Sequence, residues 1–148
     1  MCSSDLEAMV VQEYLPGEEY TVDLLSDLSG MPLLAVPRIR LETKDGISTK
    51  GKVLHDDEME RLCLEMARYL NLKGPTCMQL KRDRTGCLKF LEVNPRIGGG
   101  SIFTTLAGVN IPKLLLDLIR GIEIAAPRQK EVVVVRYYEE ILLETSAV

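Results

Sequence analysis

Tryptophan is missing from this 148-residue chain, histidine occurs once, and the four cysteines form no Cys-x-x-Cys pair. With Cys2, Cys63, Cys77 and Cys87 scattered and His55 alone, the ligands of a structural zinc site do not cluster. A lone histidine without a Ser or Cys partner pattern also argues against a triad hydrolase. Lysine and arginine are absent from the first 37 positions, which carry seven acids, and the net charge is −4. That leaves no basic face of the kind nucleic acid requires, so no nucleic-acid partner is expected. Apolar runs extend only a few residues, too short to cross a bilayer, and no basic-then-apolar leader opens the chain. No membrane partner is expected, and a reducing, cytoplasmic setting is.

What is present looks like an ordinary globular domain: 46% hydrophobic and 27% charged residues. The length suits one domain or a large piece of one, able to bury roughly two-thirds of its unfolded surface. No internal repeat, low-complexity tract or linker interrupts it. Patterning predicts strands over Ala8 to Tyr14, Tyr20 to Leu25, Leu33 to Leu41 and Ile47 to Val53, separated by Pro-Gly, Ser-Gly and Asp-Gly turns. In the third, Arg38 and Arg40 share one face, and Pro37 suggests an edge or a bulge. Asp56 caps a predicted helix through Leu70, whose apolar stripe runs Met59, Leu62, Cys63, Met66, Ala67 and Leu70. Strands Thr76 to Arg82 and Cys87 to Val93 form a hairpin about Asp83-Arg84-Thr85-Gly86. Helices over Ser101 to Ala107 and Ile111 to Arg120 follow, the second capped by Asn110 and stopped by Gly121. A last strand covers Glu131 to Tyr138, continuing toward or pairing with Glu140 to Leu143. The class is α+β, with a mostly antiparallel sheet and helices packed on one face.

The segment from Lys73 to Arg96 holds six bases against only Asp83 and Glu92, a pattern that suits an anionic ligand or a solvated basic hairpin equally. With a four-residue turn, Gln79 falls opposite Phe90, with Glu92 its diagonal neighbour on the same face and Asn94 two residues further on. Three hard oxygen donors then converge, as Mg²⁺ shared with nucleotide phosphates requires. A one-residue slip would send Gln79 to the other face, and a glutamate on a sheet is commonly just solvated. With no cation in place, Glu92 is expected to lean on Arg96, Arg38 or Arg40, since an unpaired acid in a cleft is costly. Arg96 can pair with a phosphate or carboxylate or cap a loop carbonyl, and Gly98-Gly99-Gly100 lets backbone N–H groups approach an anion.

At these residues the chain resembles the ATP-grasp superfamily. Glu92-Val93-Asn94-Pro95-Arg96, with Gln79 on the partner strand, is similar to that superfamily's metal-binding hairpin. The run from Val10 to Asp23, VVQEYLPGEEYTVD, resembles its adenine hinge and ribose-binding acid. The entry to the last helix, Ala107-Gly108-Val109-Asn110-Ile111-Pro112, fits as well. The likeness covers roughly residues 9 to 122. It is nearest the carbamoyl-phosphate synthase large-chain-like branch of carboxylate–amine ligases, though Gly98 to Gly100 stands where that branch carries a second basic residue. Carbamoyl phosphate itself is therefore disfavoured.

The resemblance implies an ATP- and Mg²⁺-binding part of a carboxylate–amine (or ammonia) ligase acting through an acyl phosphate, with Mn²⁺ able to substitute. Its alternative is a non-catalytic nucleotide-binding module. By the same likeness, the backbone of Glu13 and Leu15, with Tyr14 between them, would hold adenine and Glu19 the ribose. Arg38 and Arg40 would meet the phosphates, and Gln79, Glu92 and Asn94 the metal. Arg96 would take the acyl phosphate or a small carboxylate substrate. About a dozen residues precede Glu13, so by the resemblance residues 1–148 would correspond to one C-terminal (lower) subdomain, with the upper subdomain and N-terminal domain expected outside it. A sheet left uncovered in this way is expected to be exposed or to self-associate as a homo-oligomer.

Overall fold

A computed structural model describes residues 11–142. Six strands and three helices follow in the order β1 (Glu19–Ser26), β2 (Pro32–Lys44), β3 (Ile47–Val53), α1 (Asp57–Tyr69), β4 (Gly74–Arg82), β5 (Leu88–Asn94), α2 (Ser101–Leu106), α3 (Ile111–Ile119) and β6 (Val132–Val135). The strands form a single sheet ordered β5-β4-β1-β2-β3-β6, and every neighbouring pair is antiparallel.

Local chemistry accounts for the turns and caps. Asp45 and Gly46 join β2 to β3 with φ of 51° and 77°, a two-residue turn needing positive φ at both positions. Asp56 caps α1 by accepting from the Met59 N–H at 2.9 Å, and Asn110 caps α3 through Lys113 N at 3.0 Å. Between β4 and β5, Asp83 Oδ1 gathers the N–H groups of Thr85 and Cys87 and the Thr85 hydroxyl.

Alternation along β1 splits the core in two. Tyr20, Val22 and Leu24 face α1, where Met59, Cys63 and Ala67 meet Met78 and Leu80 of β4. Leu25 points the opposite way, into a second cluster with Val36, Val53, Phe103, Ala107, Val109 and Ile111. Helices therefore lie on both faces of the antiparallel sheet, not on one. Both faces of β1 and β2 are apolar toward the β1–β2 hairpin end, so both need cover there. On the second face the apolar packing ends at Val36; beyond it Thr21 and Arg38 are buried and Arg40 is half-buried.

Four smaller expectations change. Residues 11–14 form no strand, and Ala8 to Val10 lie outside the described residues. The last strand is confined to four residues; residues 136–142 are not strand, and Leu143 lies outside the described residues. The β4–β5 turn spans five residues, since Arg82 pairs with Leu88. Pro37 stands in an interior strand opposite Val22, one residue beyond the last β2–β3 pair, Arg38 with Val53; its carbonyl accepts from the Leu54 N–H at 3.1 Å, and the Leu54 carbonyl, which a proline cannot serve, accepts from Gln129 Nε2 at 3.3 Å.

Candidate functional site

Beyond that apolar packing, the second face carries a cleft of about 220 Å³. Thr21 of β1, Arg38 and Arg40 of β2, Ser48 of β3, and Cys77 and Gln79 of β4 form its floor and walls, while Arg96 and Gly98 to Gly100 close it from the loop after β5. The sheet register brings these together. Thr21 lies opposite both Arg38 and Gln79, so the two side chains project from strands flanking β1 on one face.

The arginines differ in what they already hold. Arg40 is engaged at all three nitrogens: by Ser48 Oγ, by the Gly46 carbonyl and by the Glu19 carboxylate. Glu19 thus stands beside the cleft with its charge compensated. Arg38 is 3% exposed and, among the described residues, donates only from Nε, to Asp23 Oδ2 at 3.1 Å. Arg96 is exposed at the rim, where Nη1 reaches the Ile97 carbonyl at 3.3 Å. Both Arg38 and Arg40 line the cleft, as their shared parity requires.

Gln79, Glu92 and Asn94 converge. Gln79 Nε2 donates to Glu92 Oε1 at 2.5 Å, and Asn94 Nδ2 to the same oxygen at 2.8 Å. Gln79 sits directly opposite Glu92, not diagonal to it, because the ladder shifts register between Gln79 and Leu80. Phe90 turns away toward α1. Glu92 makes no ion pair with an arginine among the described residues; the two amides take that place. The donor set fits a hard cation only in part. One carboxylate and two amide oxygens, the latter exposed by turning each amide over, leave half of an octahedron to water or phosphate. Among the described residues no group of three His, Cys, Asp or Glu side chains could hold a metal by itself.

The hinge segment runs alongside β5. Leu15 is buried, Glu13 is exposed and Tyr14 is 75% exposed; a hollow of about 200 Å³ lies between Gln12, Glu13 and Leu15 on one side and Lys89, Phe90 and Leu91 on the other. Gly17 then enters the sheet, its N–H on the Arg82 carbonyl at 3.0 Å. A Cβ there would stand 2.5 Å from that same oxygen, which explains the glycine.

Sequence reasoning passed over Asp23 as a site residue. It is 2% exposed, accepts from Arg38 Nε and from Thr104 Oγ1 at 2.5 Å, and keeps Oδ1 buried without a partner among the described residues. An acid inside the apolar run Val22-Asp23-Leu24-Leu25 is the available signal, since a buried carboxylate demands a basic partner. Cys77 lies beside it. Burial, then the Asp23 charge, pushes its thiol up to about 11.

A family model described as "ATP-grasp in the biosynthetic pathway with Ter operon" matches residues 5–141. No curated protein sequence matches the chain. Solved structures share its fold. The biotin carboxylase–β-γ-ATP complex of Campylobacter jejuni superposes with a TM-score of 0.64 at 12% identity, over 78% of this chain and 28% of that one. Rhizobium etli pyruvate carboxylase gives 0.65 at 21%, over 81% and 13%. The biotin carboxylase domain of Hydrogenobacter thermophilus 2-oxoglutarate carboxylase, solved as a dimer with MgADP, ADP and bicarbonate, gives 0.61 at 19%, over 75% and 26%. The chain thus spans less than a third of the length of these proteins, and at such identities the likeness is one of fold. The family match runs over nearly the whole sequence, and the chain belongs to this ATP-grasp family.

Proposed function

We propose that the cleft binds the phosphates of ATP as part of an ATP-dependent carboxylate–amine (or ammonia) ligase that works through an acyl phosphate. The observation that carries this reading is the meeting, in one cleft, of three arginines and the triglycine loop, with the Gln79–Glu92–Asn94 cluster at its edge. Phosphate and carboxylate oxygens are the anions whose geometry a guanidinium fork matches. Arg96, at the rim and free of an acidic partner among the described residues, is the group for the acyl phosphate or the small carboxylate substrate. Adenine would lie against the backbone of Glu13 and Leu15, beside Tyr14, and Glu19 would accept from the ribose while Arg40 steadies it. Gln79, Glu92 and Asn94 would hold Mg²⁺, or Mn²⁺, whose role when bound is to neutralise and orient phosphate oxygens.

In this scheme the chain's own work is positioning and charge neutralisation, with no covalent enzyme nucleophile. Solved biotin carboxylase structures of similar fold hold nucleotide, and one also holds Mg²⁺ and bicarbonate; that supports the reading without extending to the reaction of this chain. The alternative, a non-catalytic nucleotide-binding module, shares the cleft and differs in turnover. Residues 1–148 would supply the lower half of an ATP clamp, and a half clamp leaves the phosphates wet. Titration of Mg-ATP into the chain and into its Arg96→Met variant, beside a product assay, tests the proposal. Binding weakened by the substitution, with little ATP turnover by the chain alone, is expected. Robust ATP-dependent ligation by the chain alone would contradict the half-clamp reading.

A further inference from the structure

Of the three cleft arginines, Arg38 is the buried one, and among the described residues neither of its terminal nitrogens has an acceptor. Arg38 lines the cleft. A buried guanidinium with open donors is costly until it meets an acceptor, and its planar fork suits a two-pronged grip on an oxyanion. Such a grip requires that the long, flexible side chain be fixed beforehand.

Three contacts fix it. Asp23 Oδ2 takes Nε at 3.1 Å, from a position one strand over on the same face. Gly100 forms the opposing wall: a Cβ there would stand 2.5 Å from Arg38 Cζ and Nη1. The Phe103 ring centroid lies 6.0 Å from Cζ, on the fully buried side chain that anchors α2. Asp23 is itself held from α2, where Thr104 Oγ1 donates to Oδ2 at 2.5 Å. Its other oxygen has no partner among the described residues and faces Gly98, whose Cβ, if present, would lie 3.1 Å away. The segment from Gly98 to Thr104 therefore wraps around Asp23, the loop on one side and the helix hydroxyl on the other. Without the Thr104 hydroxyl, the carboxylate would keep Arg38 as its sole partner and could swing about its last torsion, carrying Nε with it.

We propose that Asp23 and Thr104 are positioning residues that hold Arg38 as the oxyanion-gripping group of the cleft, an inference that rests on the anion-binding reading above. Arg38 would touch the ligand, a phosphate or carboxylate group; Asp23 and Thr104 would act through it. The pair also couples the glycine loop to the strand floor, so the wall and the grip move together.

The test is titration of inorganic tripolyphosphate and, separately, glutarate into the chain, followed by amide chemical shifts, for wild type, Thr104→Val, Thr104→Ser and Gly100→Ala. Whichever anion the wild type takes, Thr104→Val should bind it about tenfold more weakly while circular dichroism shows a folded protein, and Thr104→Ser should restore affinity to within about twofold. A merely structural role would lower the melting temperature and leave affinity in the folded protein unchanged. Gly100→Ala, which keeps the Asp23–Thr104 contact but pushes the guanidinium aside, should weaken binding to a similar degree. Should Thr104→Val fail to fold, Gly100→Ala decides. Wild-type affinity in a folded Thr104→Val, or in Gly100→Ala, overturns the proposal. Tripolyphosphate binding without Mg-ATP binding would sink the nucleotide reading and leave the positioning pair standing. A wild type that binds neither anion overturns both.

Discussion

Gln79 and Glu92 face one another across the β4–β5 ladder because two one-residue offsets add to an even shift, which keeps both on one face. The turn holds five residues, Asp83 to Cys87, so that Arg82 meets Leu88 and Leu80 meets Phe90. That register, continued, would set Gln79 against Leu91 and send Glu92 to the α1 face. A bulge at Leu91 adds the second offset and returns Glu92 to the cleft face.

Replacing Glu92 by Gln should lower Mg²⁺-dependent nucleotide affinity by about tenfold and leave metal-free nucleotide affinity nearly unchanged. The substitution removes the only carboxylate of the cluster, and a hard divalent cation loses most of its attraction when the remaining donors are neutral. Titration of ATP with and without Mg²⁺ reads the difference directly. Equal Mg²⁺ dependence in the variant would remove Glu92 from the metal's ligands.

Much of the fold was legible because it depends on local chemistry. The bounds of β3, Ile47–Val53, follow from the Asp-Gly turn before it, and Asp56 announces α1 by its place ahead of an apolar stripe. The register near Gln79 was legible only in its parity, since neither the fifth turn residue nor the bulge has a mark in the sequence. Helix placement failed for a different reason. Strands apolar on both faces, such as Val22 to Leu25, can be covered from either side, and tertiary packing decides. Asp23 shows the same limit: the sequence flags a buried acid but not that Arg38 and Thr104, 15 and 81 residues away, would meet it.

Gly98→Ala should destabilise the chain by about 1–3 kcal/mol, the usual cost of forcing extra volume into a packed site. The new Cβ would stand 2.8 Å from Cys77 Sγ and 3.1 Å from the unpartnered Asp23 Oδ1. Gly99→Ala, with nothing within 4 Å, is the control and should change stability little. Urea midpoints for the pair check this; equal midpoints would mean that the loop does not pack on Asp23 and Cys77.

Thiol reactivity should separate the described cysteines. Cys87 is exposed, while burial pushes the Cys63 thiol up to about 12 and the Cys77 thiol up to about 11. Since the thiolate is the reacting form, iodoacetamide at pH 8 should alkylate Cys87 and spare Cys63 and Cys77 until the protein is denatured. Peptide mapping by mass spectrometry distinguishes the three sites. Rapid native labelling of Cys77 would show that the cleft floor is open.

Acid should weaken the hairpins through two carboxylates. Hydrogen bonds from Ser29 and the Met31 N–H lower the Asp27 pKa, and those from Thr85 and the Cys87 N–H lower that of Asp83. A depressed folded-state pKa adds stability that is fully present above the ordinary aspartate value of ~3.9 and is lost as pH falls through the lower folded value. Urea midpoints should therefore fall below about pH 4, and Asp83→Asn should flatten part of that fall. An unchanged acid limb in the variant would show that the turn does not hold the ionised form.

Mapping of Mg-ATP onto the folded chain by backbone amide shifts, at millimolar nucleotide to allow for half a clamp, tests the cleft assignment most directly. Shifts are expected at Gln79, Glu92, Asn94 and Gly98 to Gly100, with the hinge at Glu13 to Leu15, and they should fade when Arg38 is replaced by Met. Shifts confined to the opposite face, along Arg61, Glu65 and Arg68 of α1, or none near the glycine loop at saturating nucleotide, would contradict it.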